Sequence, residues 1–232
     1  MVAGKKAVKV VVTGKRTDMN LLETPQVAEV IKQASTEMLE MLPRATMLVQ
    51  DALQKVVQWK FATDEYYNPL PLYHEINKFK KGRIIKDKAL PLSLQPGVHE
   101  FGFDAAGQLI LARHLIGQNE SLGVNVKLYT YSPTSIKYSN VRYYPKGNFL
   151  DKFISFGQYE KFSDEIAVEV VVGSNYNTSA TFLHTNKAGF IDRVERQATG
   201  WNGATTYTPL FDDKGIKEVL IGDVKWWKRA GK

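Results

Sequence analysis

From Gly97 onward the chain consists of short segments rich in Val, Ile, Tyr, Phe and Thr, each closed off by Gly, Pro, Asn, Asp or Ser. They cover residues 98–104, 109–116, 124–131, 136–144, 149–156, 166–172, 178–184, 190–198, 204–211 and 216–221. β-Branched and aromatic side chains fit a pleated surface, and the residues between the segments favour turns. Most breaks are short, whereas a parallel crossover needs about a dozen residues or more, so successive strands must pair antiparallel. A doubly wound α/β fold is excluded. The pattern predicts a large antiparallel β-meander of about ten strands, forming a curved open sheet.

The breaks share a chemistry. Phe103-Asp104-Ala105-Ala106-Gly107 is nearly repeated as Phe211-Asp212-Asp213-Lys214-Gly215, with looser relatives at Tyr144-Pro145-Lys146-Gly147 and Asn186-Lys187-Ala188-Gly189. An Asp or Asn opening a turn can accept a hydrogen bond from the backbone two residues on. Glycine at the fourth position supplies the positive φ of a type I turn with a G1 bulge. Asp104, Gly107, Gly147, Gly189, Asp212 and Gly215 are therefore read as structural turn residues.

The aromatic-Asp-x-x-Gly elements at Phe103 and Phe211 resemble the tyrosine-aspartate (YD) repeats of the RHS family, over about residues 97–222. Phe replaces the family's Tyr, and Gln108 or Ile216 replaces its Arg. The resemblance implies strands of a coiled sheet, with too few of them to close a toxin-encapsulating shell. Free-standing proteins with such degenerate repeats include immunity proteins of bacterial polymorphic toxin systems.

The N-terminal part, residues 1–96, reads differently from the meander at 97–232. Val8–Val12 has the length of a strand. Thr24-Pro25 is a helix-start signal, and apolar residues at Val27, Val30, Ile31, Ala34, Met38, Met41 and Leu42 keep helical spacing. Pro43 should end or kink that helix. A second periodic set through Met47, Leu48, Ala52, Leu53, Val56, Val57 and Trp59 predicts helix to about residue 60. The methionines, Met19 included, read as core. Residues 66–96, rich in proline, look like a connector. The class is α+β, mostly β.

Chemistry is hard to find. The chain has no cysteine, so thiol nucleophiles, disulfides and cysteine-ligated zinc are excluded. Neither His74-Glu75 nor His99-Glu100 continues to a second histidine at zinc-protease spacing, and no phosphate loop, dinucleotide fingerprint or nucleophile elbow occurs. His114 and His184 could meet across the sheet, and Asp104 and Asp212 could form a carboxylate pair, although turn geometry accounts for both acids. No catalytic residue, metal ligand or cofactor is assigned. No stretch approaches the roughly 20 apolar residues of a membrane span. With no signal-peptide core legible, the expectation is a cytoplasmic protein.

The net charge is +7, contributed largely by Lys5, Lys6, Lys9, Lys15 and Arg16 and by the 78–88 segment. The leading expectation is a non-enzymatic protein-binding protein, in its most concrete form an immunity protein that occludes the active site of a cognate toxin. Its sheet, backed by the helices, would present aromatic and arginine anchors: Tyr131, Tyr138, Arg142, Tyr143, Tyr176, Trp201, Trp226 and Trp227. The second expectation is a nucleic-acid-binding module using the basic-aromatic runs at 141–146 and 225–229.

Overall fold

The computed structural model describes residues 20–86, 94–116, 123–143 and 152–229, and the side chains of 143 and 152–154 fall outside that description. The expected strand at Val8–Val12, the basic arm from Lys5 to Arg16, Met19, Lys88 and the turn containing Gly147 lie outside the described residues.

Helix α1 (Pro25–Met41) starts where Thr24-Pro25 placed it. The Thr24 hydroxyl donates back to the Leu21 carbonyl at 2.9 Å instead of capping the helix. Pro43 breaks the helix through a 3-10 turn at Leu42–Arg44, and α2 (Ala45–Lys55) follows. Val27, Val30, Ala34 and Met38 form the buried stripe of α1. The helix expected to run on through Trp59 does not. It ends at Lys55, and Gln58–Ala62 is strand β1, with the Val57 amide donating to the Phe103 carbonyl at 2.9 Å. The run Val56 to Phe61 is β-branched and aromatic, and pairing with a neighbouring strand outweighs its helical spacing.

Between β1 and the meander lie the short helix α3 (Tyr73–Ile76) and strand β2 (Ile84–Ile85). All ten expected strands form: β3 (His99–Phe103), β4 (Leu109–Ile116), β5 (Gly123–Tyr131), β6 (Ser135–Tyr143), β7 (Lys152–Lys161), β8 (Ile166–Gly173), β9 (Thr178–Thr185), β10 (Ile191–Ala198), β11 (Thr205–Asp212) and β12 (Gly215–Ile221). With β13 (Val224–Lys228) they make one 13-stranded open sheet in the order β13 down to β3, then β1, then β2. Every recorded pairing is antiparallel. The segment before residue 97 thus contributes two strands to the sheet.

The turns follow the predicted chemistry. The Asp104 carboxylate accepts from the amides of Ala106 (3.0 Å) and Gln108 (2.8 Å), and Gly107 has φ +75°. Asn186 repeats this with Ala188 and Phe190, beside Gly189 at φ +82°. Asp212 accepts from the Lys214 amide at 2.9 Å.

Both faces of the sheet are covered. On one, α1 and α2 pack over Leu111, Val124, Val126, Val141, Phe156, Val168, Val170, Val172 and Ala180. On the other, the connector lays Tyr66, Tyr67 and Leu70 over Phe101, Phe103, Tyr129 and Tyr138, and Leu72 and Ile76 over Leu183, Val194, Tyr207, Val219 and Ile221. The Tyr67 ring lies 5.2 Å from that of Phe101 on β3, and the Ile76 carbonyl accepts from the Trp226 indole on β13 at 3.0 Å. Ten strand steps separate β3 from β13, about 48 Å on a flat sheet at about 4.8 Å per step. The chain from Tyr67 to Ile76 reaches about 30 Å even fully extended, and part of it is helix. The sheet is therefore coiled around the connector.

Gly157 on β7 makes one part of this packing possible. Tyr138 on β6 pairs with it directly, lays its ring across it, and donates its hydroxyl at 2.5 Å to Glu169 on β8. A Cβ at Gly157 would sit 2.1 Å from Tyr138 Cζ. Burial raises the pKa of Glu169, with the Tyr138 hydrogen bond opposing it. Tyr138 is held at both ends and cannot withdraw, so Gly157→Ala is expected to destabilise the fold by about 2 kcal/mol, the scale of overpacking in a filled core. Urea unfolding of the variant checks this; a midpoint equal to wild type would refute the packing.

Candidate functional site

With both sheet faces covered, the sheet itself offers its two rims of hairpin turns for recognition, beside the outer surface of the helices, where Leu39, Leu42 and Met47 are exposed. On one rim the β8–β9 turn reads Gly173-Ser174-Asn175-Tyr176-Asn177 and the adjacent β10–β11 turn reads Thr199-Gly200-Trp201-Asn202-Gly203. They are tied together by the Thr199 amide donating to the Thr178 carbonyl (2.8 Å) and the Thr178 amide donating to the Thr199 hydroxyl (3.0 Å). Tyr176 is 66% exposed and Trp201 45%. Neither turn contains a charged residue.

Tyr176 also sits in an unusual backbone conformation. Its amide donates to the Gly173 carbonyl, and the Gly173 amide donates to the Asn177 carbonyl, both at 2.8 Å. The turns at Asp104 and Asn186 make the same pair of bonds, with glycine in the fourth position. Here that position holds Tyr176 at φ +62°. A bulky residue in this region is strained by about 1–3 kcal/mol, and such strain concentrates at functional sites. The opposite rim carries exposed Phe162, Phe190 and Phe211, the last two with ring centroids 5.3 Å apart. None of the three is among the expected anchors, and in sequence Phe190 and Phe211 mark only strand ends.

The other expected anchors are placed differently. Tyr138 is buried, which removes it from the exposed set, because its ring fills the core over Gly157. The Tyr131 hydroxyl donates to the Leu109 carbonyl, and burial pushes its pKa up to about 12. Trp226 fastens β13 to the connector through Ile76, packs edge-on to Tyr207 and lies beneath the Lys78 ammonium, while Trp227 packs in the same cluster. The side chain of Tyr143 lies outside the described residues. In the basic 225–229 run, Lys225 and Lys228 face Glu218 and Arg229 pairs with Asp212, so its charges are offset locally. Asp104 and Asp212 serve their own turns, separated by the width of the meander.

Arg142 alone of the expected anchors lies in a cavity of about 340 Å³ between the connector and the sheet, with Glu65, Tyr73, His99, His114, Asn125 and Lys127. The Lys127 ammonium bonds the Glu65 carboxylate (2.8 Å) and the Tyr73 hydroxyl (3.1 Å). Burial works against the charge on Glu65, but Lys127 and hydrogen bonds from Asn68 and Tyr73 hold its pKa below the usual value. His114 does not meet His184, which bonds Glu195 at 2.8 Å; it stacks on His99, its partner across β3–β4, with centroids 4.3 Å apart. Burial, and then the His99 charge, lower the pKa of His114 to about 4; burial lowers that of His99 as well. Burial and Glu65 raise that of Tyr73. An imidazole this weakly basic makes a poor general base near neutrality, so the cavity is suited to holding a group more than to moving protons.

Among the described residues, no group of three or more His, Cys, Asp or Glu side chains is arranged to hold a metal ion, and no helix is long and apolar enough to cross a membrane. Comparison with protein-family models, curated proteins and solved structures returns no match.

The stacked imidazoles predict an acid sensitivity. Both are depressed in the folded state, so the unfolded chain binds more protons between its ordinary histidine pKa of about 6.5 and pH 4. Asp64 and Glu65 favour the charged rings, while Lys127 and burial oppose them. Stability contributed by the neutral pair is complete above about pH 6.5 and declines as pH falls toward 4. Carboxylates titrate lower in this range, so the comparison is with His114→Gln. Melting temperatures at pH 7, 6 and 5 should fall less steeply in the variant; parallel slopes would refute the assignment.

Proposed function

We propose that this chain is a non-enzymatic protein-binding protein that recognises its partner through the rim formed by Tyr176 and Trp201. The observation that carries this reading is Tyr176 itself, an exposed aromatic held in a left-handed conformation where its sister turns use glycine. Stability alone would place glycine there. The surrounding turns supply Tyr, Trp, Ser, Asn and Gly, the combination used by binding loops that pair rigid aromatic anchors with adaptable hydrogen bonding. The absence of charge on these two turns suits a partner with a neutral or mildly acidic surface.

The concrete version of the proposal is a cytoplasmic bacterial immunity protein that neutralises a toxin domain by covering its active site. The resemblance of the aromatic-Asp-x-x-Gly elements to RHS repeats supports it, and Asp104, Asn186 and Asp212 each accept a backbone amide within their own turn. The coiled sheet acts as a rigid frame holding the rim.

Two variants separate stability from recognition. Tyr176→Gly is expected to stabilise the fold by about 1 kcal/mol by relieving the left-handed strain. With Trp201→Ala, it should weaken capture of the cognate partner about tenfold or more, as loss of an aromatic hot spot does. The check is affinity capture from source cells with mass spectrometry, followed by co-expression of the captured protein with each variant. Recovery of one stoichiometric toxic protein, suppressed by wild type and not by the double variant, supports the reading. Equal suppression by both, or purified wild-type chain turning over a substrate, overturns it.

A further inference from the structure

The cavity holding Arg142 is polar where the rest of this sheet face is packed. His99, His114, Asn125 and Arg142 stand opposite one another on β3, β4, β5 and β6. Four residues along these strands, on the same face, the chain places Phe103, Tyr129 and Tyr138 in the core. Lining a half-buried face with an arginine, an asparagine and two imidazoles is unfavourable unless each finds a partner.

The row is also ordered. Arg142 Nε donates to Asn125 Oδ1 at 3.0 Å, which turns the Asn125 amide nitrogen toward His114 Nε2 at 3.5 Å. His114 Nε2 is then the acceptor, and its Nδ1 carries the proton. Among the described residues, the two terminal nitrogens of Arg142 have no hydrogen-bond or ion-pair partner. Lys127 is neutralised by Glu65 within the same cavity, and among the described residues no carboxylate pairs with Arg142. The connector side adds the faces of Phe79 and Tyr73, whose rings lie 5.6 Å apart. A volume of about 340 Å³ falls within the range of about 300–1,000 Å³ for small-ligand sites.

We propose that this cavity binds a small organic anion, its phosphate or carboxylate held by the terminal nitrogens of Arg142 and its remainder lying against Phe79 and Tyr73. A planar guanidinium fork held at Nε presents two parallel N–H donors, the geometry that a carboxylate or phosphate accepts. The site is separate from the Tyr176–Trp201 rim and stands whether or not that rim binds a protein.

The test is a titration of wild-type chain at pH 7 with inorganic phosphate in one arm and succinate in another, each matched by sodium chloride at equal ionic strength. The His99 and His114 imidazole resonances are followed by NMR and the heat by calorimetry. One anion is expected to shift both sets of resonances saturably where chloride does not, and the arm that responds identifies the headgroup. Arg142→Ala should weaken that binding about tenfold or more, the loss of one charge-assisted bidentate contact, and Arg142→Lys should restore only part of it. If neither anion moves the histidine signals beyond the chloride control up to about 10 mM, a Kd range still corresponding to only about 3 kcal/mol, the proposal fails on wild type alone. It also fails if a folded Arg142→Ala chain binds as wild type does.

Discussion

The structure depends on the packing of the connector, from Tyr66 to Asn77, against strands that are far apart in the sheet. Within that stretch Tyr67 touches Phe101 and Phe103 on β3, Tyr73 bonds Lys127 on β5, Asn77 accepts from Arg196 on β10, and Ile76 accepts from Trp226 on β13. A segment this short can reach all of them only if the sheet coils around it. An antiparallel meander of this width has a natural right-handed twist, and the connector gives that twist something to close upon. Burying apolar surface on both faces lets Ile166–Gly173 turn Val168, Val170 and Val172 to the helix side and Val171 to the connector side.

That constraint also decides where function can sit. A sheet face backed by helices looks, from sequence, like a capture surface. Once the connector occupies it, Tyr138 and Trp226 become internal fasteners, and of the sheet it is the hairpin ends that stay exposed. The same covering leaves a sizeable polar space on that face, because the connector does not fill the region over His99, His114, Asn125 and Arg142.

What was legible in the sequence was local. Asp104, Gly107, Asn186 and Gly189 act within five residues of themselves, so their side-chain and backbone preferences determine the turn wherever it occurs. Most strands between the turns followed within one or two residues of the expected bounds; β7 runs on to Lys161, five residues past the expected end, and β13 was not expected. The misreadings were long-range. Nothing near Trp59 says that a partner strand lies at Phe103, and the helical spacing continued through it. His184, which could have met His114 across the sheet, does not; counting outward from the Asp104–Gly107 turn, with its bulge, sets His99 opposite His114 instead. The connector was unreadable because its partners span more than a hundred residues of chain.

Departures from local consistency are the most informative positions in a chain that otherwise obeys its own rules. Tyr176 occupies the bulge position that Gly107 and Gly189 fill without strain, and Arg142 occupies a sheet face that its neighbours fill with aromatic rings. The two have different physical signatures. Tyr176 is exposed and sits in a left-handed conformation, which is what makes its ring a candidate for an external contact. Arg142 is half-buried and, among the described residues, has no carboxylate partner, which is what makes the cavity a candidate for an anion. A fold optimised for stability alone would have glycine at the first position and an apolar side chain at the second. Arg142 lies on strand β6 and Tyr176 in a turn closed by two 2.8 Å backbone hydrogen bonds, so the proposed contacts at either one would start from an ordered backbone and avoid the cost of ordering a loop.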